Sequence, residues 1–308
     1  MEAMSSDEPR WVELSDLIVD FRPDGGRRPV AVDDVLRQLD DPRFAASRRL
    51  AARLPRAGRH FDEAAVDAIL LRSHLELQRL AEEIQHGQRV ARLLRPFLEL
   101  VDGPATVVDV GCGLGYLTRY FAHTGALGAD TTVIGVDQNR SLLAAARRLA
   151  ETEHLDCTFV AGDAFQLDTP ATAFLSSGVV HHIANRDLPA FFARQQASGA
   201  LACFHFDIAP TRLTPLGAWL FHRARMREAL ARHDGVRSAL RAHDDLTLTA
   251  ALGAGCPGWT PLLFDATSRR PALLNVMRPV IGMDHRLVAP YRRALGRLER
   301  RLVAWVIR

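Results

Sequence analysis

The chain has 308 residues, 48% hydrophobic and 24% charged, with a formal net charge of +3, a profile typical of one large globular domain or of a domain and a cap. All 39 residues counted as lysine or arginine are arginine, which excludes a Schiff-base lysine, a lysine general base and a P-loop lysine. No apolar run approaches the ~20 residues that span a bilayer, and the scattered arginines lack interleaved aromatic residues, so neither a membrane nor a nucleic acid is expected as a partner.

The first hundred residues are predicted to be mostly helical. Residues 1–8 are acidic and lack the apolar stretch of a secretory signal, so a cytoplasmic location is expected. Short amphipathic pieces within 11–39 precede two long helices, over 62–80 and 81–101, in which apolar residues recur at helical spacing. Asp62 stands where the first long helix would need its N-cap.

The next segment combines an apolar strand with a glycine-rich turn. The run 106–110 carries Asp109, and Gly111, Gly113 and Gly115 follow it before a predicted helix. Glycines at a strand-to-helix turn let the backbone approach a ligand closely and point amide N–H groups at a negative group. This segment is the strongest indication of a binding site in the sequence.

Four further apolar runs are predicted to be strands, and polar residues stand at their ends. The runs are 131–136, 157–161, 173–180 and 199–207. Asp137 follows the first run, Asp163 lies two residues after the second, and the pair His181 and His182 follows the third. Ligands of an open α/β sheet bind beyond the carboxyl ends of its strands, so these side chains are expected to converge.

The remainder of the chain predicts a helical block and a closing hairpin. Helices are expected over 211–233 and 236–252 with a turn at Asp234-Gly235, then strands over 259–264 and 272–277, and a terminal helix over 283–308. Seven strands alternating with helices indicate a doubly wound, mostly parallel α/β sheet.

The cysteines give no sign of a metal site or a disulfide framework. Cys112, Cys157, Cys203 and Cys256 contain no C-x-x-C pair. Three of them lie in or beside predicted strands, where cysteine is usually a small buried apolar residue. We therefore expect no metal.

The glycine turn carries a resemblance to a known family. Its pattern, Asp109-x-Gly111-x-Gly113-x-Gly115, departs from the dinucleotide fingerprint G-x-G-x-x-G. It resembles the first motif of the class I S-adenosylmethionine-dependent methyltransferases of small-molecule type. Asp137, which stands 22 residues after Gly115, is similar to that family's ribose-binding acid. Four motifs follow the family's order over roughly residues 100–207.

The resemblance implies a fold and a domain organisation. The sheet would have the strand order 3-2-1-4-5-7-6, with an N-terminal helical region and a helical insertion before the last hairpin. Residues 1–100 would form a helical lid, and residues 101–308 the cofactor-binding domain. Within that domain, residues 211–257 would form a helical cap over the acceptor.

The resemblance also implies a cofactor, S-adenosylmethionine, with S-adenosylhomocysteine as the product. The glycine loop would hold the methionine part, Asp137 the ribose and Asp163 the adenine. Asp109 holds the loop or contacts the ligand, and Arg89 is a candidate partner for the cofactor carboxylate. The full predicted cofactor-binding set is Asp109, Gly111, Cys112, Gly113, Gly115, Tyr116, Asp137, Gln138, Gly162, Asp163, Ala164 and Ser177.

Two pairs of residues are candidates for the acceptor end of the site. His181 and His182 are candidate catalytic residues, because imidazole titrates near neutrality. The alternative is that either one is structural. His205 and Asp207 share one face of the predicted fifth strand by alternation, and they would line the substrate pocket or form a buried hydrogen-bonded pair.

The predicted function is methyl transfer to an oxygen or nitrogen atom of a small, largely apolar metabolite. The arginine-only composition suggests a high-GC bacterium and, by analogy, a specialised-metabolite pathway. Two alternatives remain, because a fold does not determine its chemistry. One is an enzyme of the same fold that catalyses an elimination, cyclisation or hydrolysis, and the other is a non-catalytic cofactor-binding partner protein.

Overall fold

The structure of the protein is a computed structural model that describes residues 11–22, 26–264 and 277–303. The helices of these ranges are α1 (Leu14–Ile18), α2 (Val32–Gln38), α3 (Ala45–Ala51), α4 (Glu63–Glu83), α5 (His86–Leu98), α6 (Tyr116–Thr124), α7 (Arg140–Thr152), α8 (Leu188–Ala197), α9 (Thr214–Arg225), α10 (Ala229–Arg241), α11 (Asp245–Gly255) and α12 (His285–Leu295). The strands are β1 (Arg56–Ala57), β2 (His60–Phe61), β3 (Ala105–Val110), β4 (Thr131–Asp137), β5 (Thr158–Ala161), β6 (Ala173–Ser177), β7 (Ala202–Ile208), β8 (Trp259–Phe264), β9 (Met277–Asp284) and β10 (Leu302–Val303).

One large sheet organises the molecule. Its strand order is β10-β8-β9-β7-β6-β3-β4-β5. Strands β3 to β7 pair in parallel, whereas β9 runs antiparallel to both β7 and β8. Apart from the two-residue edge strand β10, this is the predicted order 3-2-1-4-5-7-6. The doubly wound seven-stranded prediction is therefore confirmed.

The central strand β3 explains why the glycine turn lies at the middle of the sheet. Val107 and Val108 point to opposite faces and are both fully buried, as expected of a parallel strand covered by helices on two sides. β3 pairs with β4 on one side and with β6 on the other. The order of the sheet changes direction at β3, which is where such folds bind ligands.

The N-terminal helices form a satellite core of their own. Leu14 and Ile18 of α1 pack with Val32 and Val35 of α2, and Leu230 of α10 joins the same cluster. The Asp62 side chain accepts a hydrogen bond from Ala65 N and caps α4 as predicted. This packing ties residues distant in sequence to the cap helix α10.

The prediction of a turn at Asp234-Gly235 is wrong, because both residues lie inside α10. Asp234 is buried and accepts hydrogen bonds from the backbone N–H groups of Leu14 and Ser15. Gly235 lies against the ring of His222, which a Cβ would overlap at 2.0 Å. Tertiary contacts with α1 and α9 thus favour the helix over the turn propensity of this pair.

The C-terminal predictions need correction as well. The second hairpin strand is β9, whereas the predicted strand lies, apart from Met277, outside the described residues. The terminal helix α12 ends at Leu295 and is followed by a short 3₁₀ helix over Gly296–Arg301. Gly296 has φ +54°, a conformation that favours glycine and stops the helix. None of the described helices is both long and apolar enough to cross a membrane.

Candidate active site

A cavity of about 920 Å³ lies beyond the carboxyl ends of β3, β4, β5 and β6. Residues of α1, α4, α9 and α10 close it from the other side. All the predicted cofactor-binding residues except Gly115 line this cavity: Asp109, Gly111, Cys112, Gly113, Tyr116, Asp137, Gln138, Gly162, Asp163, Ala164 and Ser177. Convergence at the strand ends therefore brings together residues from four separate motifs.

The glycine loop is built so that the backbone forms the cavity wall. Gly111 and Gly113 have φ values of +65° and +55°, which side chains rarely adopt. A Cβ on Gly113 would lie 2.9 Å from Cδ2 of His74, and one on Gly111 2.5 Å from Cγ2 of Val179. Side chains from α4 and from the end of β6 therefore cover the loop closely.

Gly115 has a different role from the other two glycines of the loop. It does not line the cavity, and a Cβ there would lie 2.2 Å from the ring of Phe159 on β5. Its φ of +67° also favours glycine at the start of α6. Gly115 thus allows α6 to begin tightly against the sheet instead of facing a ligand.

Asp137 links the loop to the end of β4. Its Oδ2 accepts a hydrogen bond from Gly113 N at 2.8 Å, and its Oδ1 accepts one from Asn139 N at 2.8 Å. Burial raises the pKa of Asp137 above its usual range, although these N–H donors oppose the shift. A carboxylate has about four lone-pair sites, so Asp137 retains acceptor capacity toward the cavity.

Asp163 and Asp109 occupy contrasting environments. Asp163 lies in the turn after β5, where its Oδ1 accepts a hydrogen bond from Phe165 N at 2.9 Å. Asp109 is buried on β3, and its Oδ2 accepts a hydrogen bond from the hydroxyl of Thr118 at 3.2 Å. Burial, with the charge of Asp137, raises the pKa of Asp109 to about 7.

His181 is locked between two carboxylates. Its Nδ1 donates to Asp207 Oδ1 at 2.7 Å, and its Nε2 lies 3.3 Å from Oε1 of Glu13 on the segment that leads into α1. Burial opposes protonation of this ring, but Asp207 and Glu13 together raise the pKa of His181 to about 10. With both nitrogens protonated, His181 has no lone pair with which to accept a proton.

His182 is the more accessible of the two histidines. Its side chain is 36% exposed, and its Nδ1 donates to Asp16 Oδ1 at 3.0 Å. Its Nε2 lies 3.8 Å from Glu13 Oε2. The 3₁₀ turn that carries both histidines is held by His243, whose Nε2 donates to the carbonyl oxygens of Val180 and Ile183.

His205 and Asp207 do not line the cavity, contrary to the prediction that they form a substrate pocket. Both are buried on the face of β7 that is covered by helices. Gln195 Oε1 can only accept, so His205 donates to it from Nε2 at 3.0 Å and accepts from the Ser176 hydroxyl at Nδ1. Asp207 instead accepts hydrogen bonds from Nδ1 and the backbone N–H of His181.

The buried His205 predicts a specific dependence of stability on pH. Burial lowers its pKa to about 3, whereas an unfolded histidine titrates near 6.5. A lowered pKa means that its contribution is fully present above pH ~6.5 and is lost as the pH falls toward 3. We expect the stability advantage of wild type over His205→Gln to shrink by about 2 kcal/mol between pH 7 and pH 5.

Urea denaturation at the two pH values measures this difference. His285→Gln is the control, because His285 is exposed at the start of α12. The raised pKa of Asp109 makes its contribution to stability increase as the pH falls, opposite to that of His205. Because wild type and variant share Asp109, comparing them at each pH cancels this contribution. A gap between wild type and His205→Gln that is the same at both pH values would contradict the assignment of His205 as a buried neutral ring.

Sequence reasoning missed several residues of the cavity wall. Glu13 and Asp16 lie on the N-terminal segment, about 165 residues before the histidines they contact, and no local pattern marks them. His74 of α4 covers Gly113 and lines the cavity. Arg89, the candidate for the cofactor carboxylate, does not line it.

The cavity fits the cofactor that the motifs imply. The loop leaves no room for side chains at Gly111 and Gly113, so the backbone itself would face the bound group. Asp137 presents carboxylate oxygens to the cavity where two adjacent hydroxyls would be recognised. The volume is at the upper end of the ~300–1,000 Å³ that is usual for ligand sites, enough for a cofactor and an acceptor side by side.

Residues 107–198 match the family model described as "Methyltransferase domain". No curated protein is significantly similar in sequence to the chain. Magnesium protoporphyrin IX methyltransferase from Synechocystis PCC 6803 is similar in structure, with 16% identity, a TM-score of 0.43, and coverage of 82% of this chain and 99% of that one. A SAM dependent methyltransferase from Aquifex aeolicus shares 12% identity over 63% of this chain and 91% of that one, with a TM-score of 0.43. These structural similarities are too distant to indicate a substrate.

The matched stretch contains the glycine loop, Asp137, Asp163 and both histidines. Together with the sheet order and the cavity, it defines a class I, Rossmann-like methyltransferase domain. Residues 107–198 thus form a methyltransferase domain, which implies S-adenosylmethionine as its cofactor.

Proposed function

We propose that the protein transfers a methyl group to an oxygen or nitrogen atom of a small, largely apolar metabolite. The observation that carries this proposal is the composition of the cavity away from the glycine loop. Apolar side chains from four segments outside that loop line the cavity: Val19, Phe21, Ile183, Phe221 and Leu230. The polar cluster of Glu13, Asp16, His181 and His182 borders the same space.

The cofactor end would be held by residues of three strand ends. Asp137 would accept hydrogen bonds from the ribose hydroxyls, and Asp163 one from the adenine amino group. The backbone of Gly111 and Gly113 would border the methionine part. When bound, S-adenosylmethionine supplies a methyl group on a positively charged sulfur, so the protein needs chiefly to align the acceptor and exclude water.

The N-terminal helices and the cap helices would act as the lid. α1 and α10 contact each other through Asp234, which accepts hydrogen bonds from Leu14 N and Ser15 N. Arg241 of α10 contacts Asp16 of α1 and donates to the carbonyl oxygen of His182. These contacts join the lid to the histidine turn. We therefore divide the chain into a helical lid over residues 1–100 and a cofactor-binding domain over residues 101–308. The cap helices form the insertion 211–257 within that domain.

His182 would be the catalytic residue that faces the acceptor. Its ring is exposed to the cavity, while that of His181 is enclosed by Asp207 and Glu13. Asp16 orients the His182 ring through Nδ1, and Nε2 lies 3.8 Å from Glu13 Oε2 at the cavity wall. His181 would position the turn and its neighbours instead of accepting a proton.

Substitution of His182 tests this assignment. His182→Gln is expected to lower kcat about 100-fold for hydroxyl acceptors, a typical contribution of acid–base or comparable polar catalysis, while the Kd for S-adenosylmethionine stays unchanged. The measurement is formation of S-adenosylhomocysteine and of products heavier by one methyl group, over panels of aromatic and aliphatic hydroxyl and amine acceptors. His285→Gln serves as the matched surface control.

The same assay separates the proposed function from its alternatives. Turnover of a panel member without gain of a methyl group would replace the proposal with a non-methyl reaction on this fold. Cofactor binding with turnover only in the presence of another protein would indicate a partner role. Equal kcat values for wild type and His182→Gln would remove His182 from the reaction.

A further inference from the structure

Glu13, His181 and His182 place three potential metal-ligand atoms around one point at the cavity wall. All three residues line the cavity, and their ligand atoms lie within 4.8 Å of one another. His181 Nε2 is 3.3 Å from Glu13 Oε1, and His182 Nε2 is 3.8 Å from Glu13 Oε2. Ligands bound to one ion at about 2.0–2.2 Å lie roughly 3.0–3.5 Å apart, so only small side-chain movements are needed.

Both histidines have the support that metal-binding histidines require. Each donates from Nδ1 to a carboxylate, His181 to Asp207 at 2.7 Å and His182 to Asp16 at 3.0 Å. A carboxylate on Nδ1 fixes the tautomer and the orientation of the ring and makes the other nitrogen a better ligand. Here both Nε2 atoms are directed toward the same glutamate.

Glu13 itself lacks a hydrogen bond at the oxygen that faces this point. It is 3% exposed, and Oε1 accepts no hydrogen bond from the described residues. His181 and Arg241 approach Oε1 at 3.3 and 3.5 Å without the geometry of a hydrogen bond. The protonated His181 ring and the Arg241 guanidinium offset the charge of this buried oxygen, but its hydrogen bonding stays incomplete, which a directly bound cation would correct.

We propose that Glu13, His181 and His182 bind a divalent first-row transition-metal ion. Two imidazoles and one carboxylate form the ligand set of catalytic zinc sites and of non-haem iron sites, which keep open positions for a substrate. Mg²⁺ and Ca²⁺ prefer sites made of oxygen alone. The cavity side of the cluster provides the open positions.

The charges around the cluster favour a cation. Three carboxylates surround it, those of Glu13, Asp16 and Asp207, and Arg241 is the guanidinium that contacts two of them. Nearby Arg278 forms an ion pair with Asp245. A metal ion on the two Nε2 atoms would take the place of the proton that His181 otherwise holds there.

The role of this ion rests on the proposed function. An acceptor hydroxyl bound at an open position would lose its proton to water more readily, as metal-bound hydroxyl groups do. Its oxygen would then form the new bond to the methyl carbon, while the electrons of the broken S–C bond remain on sulfur. His182 would thus act as a metal ligand. Substitution of Glu13 would then lower the rate of methyl transfer as much as substitution of His182.

Direct metal titration tests the site without any acceptor or cofactor. Chelator-treated protein that lacks a histidine tag is titrated with Zn²⁺ against a chromophoric chelator, and with Co²⁺ while its visible absorption is recorded. We expect one ion per chain, and affinity at least about tenfold weaker in both Glu13→Gln and His182→Gln. Glu83→Gln and His285→Gln, which change the same residue types elsewhere on the surface, should bind like wild type.

A separate titration with S-adenosylmethionine keeps the outcomes distinct. Glu13→Gln should bind the cofactor like wild type, which shows that its fold is intact; absence of cofactor binding in wild type would instead count against the proposed function. The metal site is overturned if wild type binds no Zn²⁺, if the two cluster variants bind it as tightly as the controls, or if Mg²⁺ binds in preference.

Discussion

Replacing Asp137 by alanine is expected to weaken S-adenosylmethionine binding by about 100-fold or more. A hydrogen bond to a charged group contributes about 1.5–3 kcal/mol, and the proposed ribose contact supplies two such bonds. The substitution also removes the acceptor that holds Gly113 N and Asn139 N. The glycine loop would then lose its connection to β4 at the position where it should face the ligand.

Calorimetric titration with S-adenosylmethionine and S-adenosylhomocysteine measures this loss. Asp137→Asn keeps one carbonyl acceptor and should fall between wild type and alanine. Asp130→Ala is the matched control, because Asp130 is exposed just before the same strand. Wild-type affinity in Asp137→Ala would show that the ribose is held elsewhere. A well-folded wild-type protein that binds neither compound would contradict the cofactor itself.

The convergence of the glycine loop and the strand-end aspartates on one cavity could be predicted because its information is local. Gly111, Gly113, Asp137 and Asp163 each stand at or just beyond the end of an apolar run, and parallel strands end at the same edge of a sheet. The order of the four apolar runs along the chain is therefore enough to place these residues at one edge of the sheet. The central position of β3 follows from its valine-rich run, in which Asp109 is the one charged residue.

The cluster of Glu13 and Asp16 with the two histidines could not be predicted because its residues meet only through tertiary packing. Glu13 and Asp16 lie on a short N-terminal stretch whose position depends on contacts with α10. Asp234 resembled a turn residue because its role, accepting hydrogen bonds from α1, has no sequence signature. Periodicity indicates which residues share a face of an element but not what covers that face.

His205 and Asp207 illustrate this limit. Strand alternation correctly placed both on one face of β7, but that face packs against α8 instead of bordering the cavity. His205 lies beside the rings of Phe191 and Phe192. Asp207 lies nearer the end of the strand, where it reaches His181. One residue of the pair thus belongs to the core and the other supports the candidate catalytic turn.

Asp207→Ala is expected to lower the free energy of unfolding by about 3–5 kcal/mol, the typical cost of removing one partner of a buried ion pair. Asp207 is 4% exposed and accepts hydrogen bonds from His181 Nδ1, His181 N and Ile208 N. Burial opposes its charge, but His181 and these donors lower the pKa of Asp207 to about 2. Alanine would leave His181 buried without its main partner.

Urea denaturation at pH 7 measures this change, with Asp168→Ala as the control for an exposed aspartate in an ion pair. Asp207→Asn keeps the shape and should cost less than alanine. Where the variant still folds, cofactor affinity should persist, because Asp207 does not line the cavity, while methyl transfer should fall, because the histidine turn loses its support. A stability loss below about 1 kcal/mol would mean that His181 is not held as a charged partner. Loss of cofactor binding and methyl transfer together, at full stability, would instead place Asp207 at the cofactor, so the two measurements separate a supporting role from a binding one.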